Sequence, residues 1–265
     1  MHAKTRSKTA ELLDLLLWAT ESLYRPTWRN ITESYEGWSY RKGLLGQLCR
    51  LERQLWLECQ IGTAGERLYR LTEAGRLQAL GGRDPKACWA RRWDGLWRLI
   101  LFDVPESSSS ARNKLRSYLQ DCGFGYLQNS VWITPHPMIE QRALLADGPV
   151  DVESLILLEA RPCAGESDAQ IVAGAWDFAR INRCYAKHQE ILDRRPCGPL
   201  NNETAAKAFH RWHREERDAW MEALRQDPLL PGSLLPGSYA GRQAWETRRE
   251  IMQETKEQIR TFSVR

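Results

Sequence analysis

No stretch of these 265 residues is long and apolar enough to cross a bilayer, which takes roughly 20 residues. The oiliest segment, Leu12–Ala19, is interrupted by Asp14 and preceded by Glu11, and no small-residue cleavage site follows it. Neither a spanning helix nor a signal peptide is expected, and the chain reads as cytoplasmic with no membrane partner. Paired cysteines are missing as well. The seven cysteines are odd in number and contain no CxxC. That excludes a disulfide framework and a zinc ribbon and fits reduced thiols, with Cys49 and Cys122 on expected helices. There is no phosphate loop, no GxGxxG and no nucleophile elbow. Histidine is scarce. His136, between Pro135 and Pro137, reads as a loop residue. His210 and His213 stand three apart on an expected helix, but no Cys or acidic residue completes a metal site, so solvent exposure or a salt bridge is expected. No catalytic residue, metal site or cofactor is therefore expected.

The charge that is present is uneven. Residues 1–92 carry 16 Lys and Arg against 10 Asp and Glu; the remainder carries 22 against 24. A basic first third on a near-neutral body points to a head that binds nucleic acid. The twelve tryptophans leave two readings open, large anchors for cores and domain joints or the lining of a ligand pocket.

In the head, Leu12, Leu13, Leu16 and Leu17 mark a helix over Thr9–Ser22, and Pro26 starts another. Ser39 opens a longer helix in which Leu44, Leu48, Leu51 and Leu55 form an apolar stripe. Ser39, Lys42, Gly43, Gly46, Cys49, Arg50 and Arg53 fall on the opposite, basic face. A hairpin follows, Trp56–Gln60 and Arg67–Leu71, and then a helix over Thr72–Leu80. Three helices and a hairpin in this order make a winged helix, whose third helix enters the major groove of double-stranded DNA. The expected DNA contacts are Ser39, Tyr40, Arg41, Lys42, Arg50, Arg53 and, on the wing, Arg67.

The centre alternates strand and helix. Trp97–Val104 is a buried strand ended by Pro105. Leu115, Tyr118, Leu119 and Cys122 share one helix face, with Gly123 as the stop. Strands follow at Ser130–Thr134 and, after a short helix, at Glu153–Ala160. This is a small α+β domain with a helix-covered sheet. Asp103, at the end of the first strand, caps a turn or binds a metal.

The last third is helical: Ala169–Leu192, Ala205–Arg225 and Arg242–Ile259. Between the last two lies DPLLPGSLLPGSYAG, with LLPGS twice in tandem, a rigid crossing. Trp212, Trp220 and Trp245 flank it. These indoles and Arg248 are candidates for binding an effector, and Glu215, Glu216, Glu246 and Glu250 are there to pair with the arginines.

Three tracts carry a family resemblance: the strand runs around WRLILFDVPE and GFGYLQNSVWITPHP, AWDFARINRCY at Ala175–Tyr185, and the Asp227–Gly241 crossing. Together with YRLTEAG after the wing they resemble the PaaX family, repressors of phenylacetate catabolism. The resemblance implies a central ferredoxin-like domain similar to a CRISPR-associated nuclease subunit. In those nucleases the position of Asp103 holds a metal, so a metal-dependent nuclease is the alternative reading. The resemblance also implies a homodimer on operator DNA released by an acyl-coenzyme A or aryl effector. The expected architecture is α+β: a winged helix over residues 1–85, a ferredoxin-like domain over 90–162 and a helical domain over 165–265. One departure stands out. Met221 and Glu222 lie near the positions where the family usually carries a basic pair, so an effector other than phenylacetyl-coenzyme A, or weaker binding of it, is expected.

Overall fold

The computed structural model describes residues 48–61, 67–103, 109–128, 130–138, 154–198 and 203–263. The two N-terminal helices, the start of the third with Ser39, Tyr40, Arg41 and Lys42, and the short helix before residue 154 lie outside the described residues. Two compact units divide the chain. One comprises Met1–Asp84, Ala186–Met221 and Gly241–Arg265, the other Pro85–Tyr185 and Glu222–Ala240.

In the first unit, residues 48–53 are helical and bury Leu48 and Leu51. The helix stops two residues sooner than the leucine spacing predicts. Leu55 has φ of 58° and is 74% exposed, so it leaves the apolar stripe. The reason is a Schellman close: Trp56 N–H donates to Leu51 O and Leu55 N–H to Glu52 O, both at 2.9 Å. Leu57 takes the vacated place in the core. Strands β1 (Leu57–Ile61) and β2 (Arg67–Leu71) form an antiparallel hairpin, Leu57 opposite Leu71 and Cys59 opposite Tyr69. Leu48, Leu51, Leu57, Tyr69 and Leu71 make one core, with Trp56, Cys59 and Ala79 packed on it. Helix α1 (Glu73–Ala79) follows, capped by Thr72.

The second unit opens with α2 (Pro85–Ala90), a short helix that the apolar pattern does not announce. Its sheet holds β3 (Trp97–Asp103), β4 (Gly125–Gln128), β5 (Val131–Thr134) and β6 (Ser154–Ala160), in the order β4-β5-β3-β6 with every neighbour antiparallel. β4 is an addition to the three expected strands. Helix α3 (Ser109–Asp121) lays Leu115 and Leu119 on Ile100, Phe102 and Trp132. Burying each such side chain contributes about 1.5–3 kcal/mol. Trp97 is buried beside Trp93 and Trp176 at ring distances of 5.3 and 6.2 Å.

The helix expected over Ala169–Leu192 is two helices, α4 (Asp168–Ala175) and α5 (Phe178–Leu192). Trp176 between them is extended, and its indole N–H donates to Gly123 O at 3.3 Å. Asp177 then caps α5 by accepting the Arg180 N–H at 2.8 Å. Helices α6 (Glu203–Gln226) and α7 (Gly241–Ser263) match the expected pair with small extensions. The crossing between them folds as its repeat suggests. Leu234 N–H closes a turn on Pro231 O at 2.9 Å, and five residues on Tyr239 N–H closes the same turn on Pro236 O at 3.0 Å.

Candidate functional site

The described part of the head presents Arg50 and Arg53 to solvent from helical residues whose other side, Leu48 and Leu51, is buried. Arg53 Nε donates to Cys49 O at 3.3 Å, folding its stem along the helix. Arg67 stands at the first position of β2; its side chain is outside the described residues, as is that of Asp103 at the end of β3. Further along the hairpin Arg70 is 3.6 Å from Glu58. Ile61, at the end of β1, is exposed.

In the part of the first unit drawn from α5, α6 and α7, Trp212 is buried and donates its indole N–H to Ile191 O at 2.8 Å. Trp220 and Trp245 pack on each other, ring centroids 5.7 Å apart. The Arg248 guanidinium lies over the Trp220 ring at 5.1 Å. Nε of Arg248 donates to Glu216 Oε1 at 2.6 Å and Nη2 to Oε2 at 3.1 Å. His188 Nε2 lies 2.8 Å from the same Oε1, and its Nδ1 has no hydrogen-bond partner among the described residues. Glu216 and His188 are fully buried. The structure thus brings Trp220, Trp245 and Arg248 together in a closed core. Of the other arginines there, Arg249 pairs with Glu246 and Arg217 with Asp218. Met221 and Glu222 carry no positive charge. Glu222 itself is held by Arg225, which keeps its carboxyl below the ordinary range.

The second unit has a polar knot of its own. Asp227 is buried where α6 ends. Its Oδ2 accepts the Tyr185 hydroxyl at 2.5 Å and also the Tyr239 hydroxyl, and its Oδ1 accepts the Leu229 N–H at 2.8 Å. That bond holds Leu229 at φ of 51°, a left-handed conformation that costs a branched side chain energy. Burial first, and then the Asp227 charge, push both phenols well above their ordinary value. Asn182 staples the end of the crossing to α5, donating to Ser238 O at 2.9 Å and accepting from Ala240 N–H at 3.0 Å.

Sequence reasoning set Glu216 against the nearby arginines without foreseeing its burial, and it did not single out Asp227, Tyr239 or Asn182 as structural polar centres. One signal was available: Trp212, Glu216 and Trp220 are spaced four apart, so Glu216 shares the apolar side of α6. His136 accepts from Arg91 Nη1 at 3.1 Å, which fixes its Nδ1 as the unprotonated nitrogen. His210 is exposed, whereas His213 is buried with its ring against Trp212. Among the described residues no cluster of His, Cys, Asp or Glu could hold a metal ion, and no helix is long and apolar enough to cross a membrane. All seven cysteines are free thiols.

Comparison with known proteins places these segments. Residues 90–172 match the PaaX protein central Cas2-like domain, and residues 176–265 match the PaaX-like protein C-terminal domain. The chain is similar to the transcriptional repressor PaaX of Escherichia coli (strain K12), 29% identical over 215 residues. That match covers 74% of this chain and spans 63% of the repressor's length. In fold it is similar to the uncharacterized protein Rv0674 from Mycobacterium tuberculosis, with a TM-score of 0.52 and 20% identity, covering 95% of this chain and 96% of that one. With its central and C-terminal segments each matched by a domain of the same family, the chain belongs to the PaaX family.

Proposed function

We propose that this protein is a cytoplasmic transcriptional repressor that binds double-stranded operator DNA as a homodimer and leaves it on binding a small acyl-coenzyme A or aryl effector. The observation that carries this reading is its similarity, over most of its length, to a transcriptional repressor. The exposed Arg50 and Arg53 opposite the buried Leu48 and Leu51 support a helix that meets a polyanion. In this reading residues 1–85 are the winged-helix reader, with Ser39, Tyr40, Arg41, Lys42, Arg50, Arg53 and Arg67 on the DNA. Residues 90–162 are a ferredoxin-like domain, a reading supported by the β4-β5-β3-β6 order and antiparallel pairing. Residues 165–265 form the helical sensor.

For the effector, Trp212, Trp220, Trp245 and Arg248 are the proposed contacts. Because Arg248 is closed over by Glu216, an acidic group on the effector takes the place of that carboxylate. The binding free energy that opens the pair is what shifts the repressor away from its DNA-bound state.

The experiment is selection of duplexes from a random-sequence pool by the full chain, followed by titration of the selected duplex at several salt concentrations. Wild type is expected to enrich one near-palindromic sequence, and Arg50→Ala to lower the salt slope by about one. Failure to enrich any sequence overturns the reading. Magnesium-dependent degradation of the duplex, lost in Asp103→Ala, replaces it with the nuclease reading.

A further inference from the structure

Thr72 sits where three segments of the head meet. Its hydroxyl accepts the Gly75 N–H at 3.0 Å, the ordinary cap of α1. The same hydroxyl donates to Leu55 O at 2.6 Å, and the Thr72 N–H donates to Trp56 O at 3.1 Å. Leu55 and Trp56 are the residues that turn the chain out of helical residues 48–53 and into β1. On the other strand, Thr72 directly follows Leu71, the partner of Leu57 in the ladder pair at the hairpin's base. Both bonds therefore close the base of the hairpin onto the exit of that helix. Gly75 makes the approach possible, since a Cβ there would overlap the Trp56 carbonyl, lying 2.8 Å from its carbon.

Capping α1 needs only the lone pair of Thr72 Oγ1. The proton given to Leu55 does nothing for α1; it fixes a left-handed turn at a residue that is not glycine. We propose that Thr72 is a positioning residue for DNA recognition: it fixes the angle between the hairpin and helical residues 48–53, so that both reach one duplex together. The inference rests on the reading of the head as the DNA-binding element. Two binding surfaces on one rigid body act as a unit, because engagement of the first presents the second at high effective concentration. A hinge between them forfeits that advantage while every DNA-facing side chain is still present.

The test uses the full chain and the duplex selected by wild type, at a temperature where circular dichroism shows each variant fully folded. Thr72→Gly removes the hydroxyl and its bond to Leu55 O, leaving the backbone bond to Trp56 O, and glycine is tolerated at a helix cap nearly as well as the polar caps. Thr72→Ser keeps both bonds. Thr72→Gly is expected to bind about ten-fold more weakly, with a salt slope lower by about one for each phosphate that the hairpin no longer reaches. Thr72→Ser is expected to restore affinity and slope. Thr72→Val serves if the glycine variant does not fold. A folded Thr72→Gly or Thr72→Val protein with wild-type affinity and slope overturns the inference and leaves the DNA-binding reading intact. A wild-type chain that selects no duplex overturns both.

Discussion

Glu216 holds the Arg248 guanidinium through both carboxylate oxygens where neither side chain reaches solvent. Taking two charges out of water is expensive, and the pair offsets that cost only while both members are present. Glu216→Gln or Arg248→Met alone breaks a buried ion pair by removing one member, so each should destabilise the protein by about 3–5 kcal/mol. Glu216→Leu combined with Arg248→Met should recover most of that loss. Denaturant melts of the two singles and the double check this; equal losses in all three would show that packing, not charge, decides.

Gly75→Ala should weaken the head alone. Its new methyl meets a backbone carbonyl, Trp56 C=O, which cannot rotate away as a flexible side chain would. Overpacking of this kind costs about 1–3 kcal/mol. Hydrogen exchange should show faster opening of the Leu57–Leu71 hairpin, with the amides of α3 and β3 unchanged.

Tyr185 and Tyr239 should resist ionisation. Their hydroxyls are buried on Asp227, which raises the phenol value in the folded chain. A group raised on folding stabilises the native state fully below its unfolded value, 10.0 for tyrosine. That contribution is lost as pH rises further. An ultraviolet titration should therefore leave these two phenols protonated until the chain unfolds at alkaline pH. Asp227→Asn removes the charge and should bring their titration down; a titration the same as wild type would assign the shift to burial alone.

Asp94 supplies a limb at the acid end. The Arg98 hydrogen bonds, at 2.5 and 2.8 Å, hold its carboxyl at about 2, below the ordinary 3.8. A depressed carboxylate stabilises the fold above its unfolded value and loses that contribution as pH falls through the folded one. Asp94→Asn should flatten the fall in melting temperature between about pH 4 and pH 2. The effect is small, because Asp94 is nearly half exposed and solvent screens the pair.

The strongly periodic elements were legible in the sequence, and the breaks between them were not. Leu115 and Leu119 announce α3, and Gly123 its end, with φ of 82°. The one local sign of the stop at Trp176 is Asp177, the cap of α5. Apolar residues continue through Val172, Ala175, Phe178 and Ile181 at helical spacing, while the Trp176 indole bonds Gly123 O, a residue 53 positions back. Leu55 was misplaced for the same kind of reason: its spacing fits the stripe, but Thr72, seventeen residues on, holds its carbonyl in a turn. β4 is four residues, GYLQ, without a β-branched residue, and it is a strand because β5 pairs with it. At the candidate site, Arg50 and Arg53 could be assigned to an exposed face from spacing alone. Glu216 was legible as an arginine partner, but its burial was hidden in a charged run, HREERD, where one carboxylate faces inward and its neighbour Glu215 faces water.

Neither unit is a continuous length of polypeptide. The chain passes from one to the other four times, and two of those passages, at Tyr185–Ala186 and Met221–Glu222, fall inside α5 and α6. A protease that nicks one bond therefore releases neither unit whole. Truncation after residue 162 strips the second unit of α4, the start of α5 and the Asp227–Ala240 crossing, and with them the tryptophan and tyrosine anchors set into its sheet and its knot. A nonsense mutation anywhere between residues 163 and 226 should thus damage the second unit as well as remove the final helix.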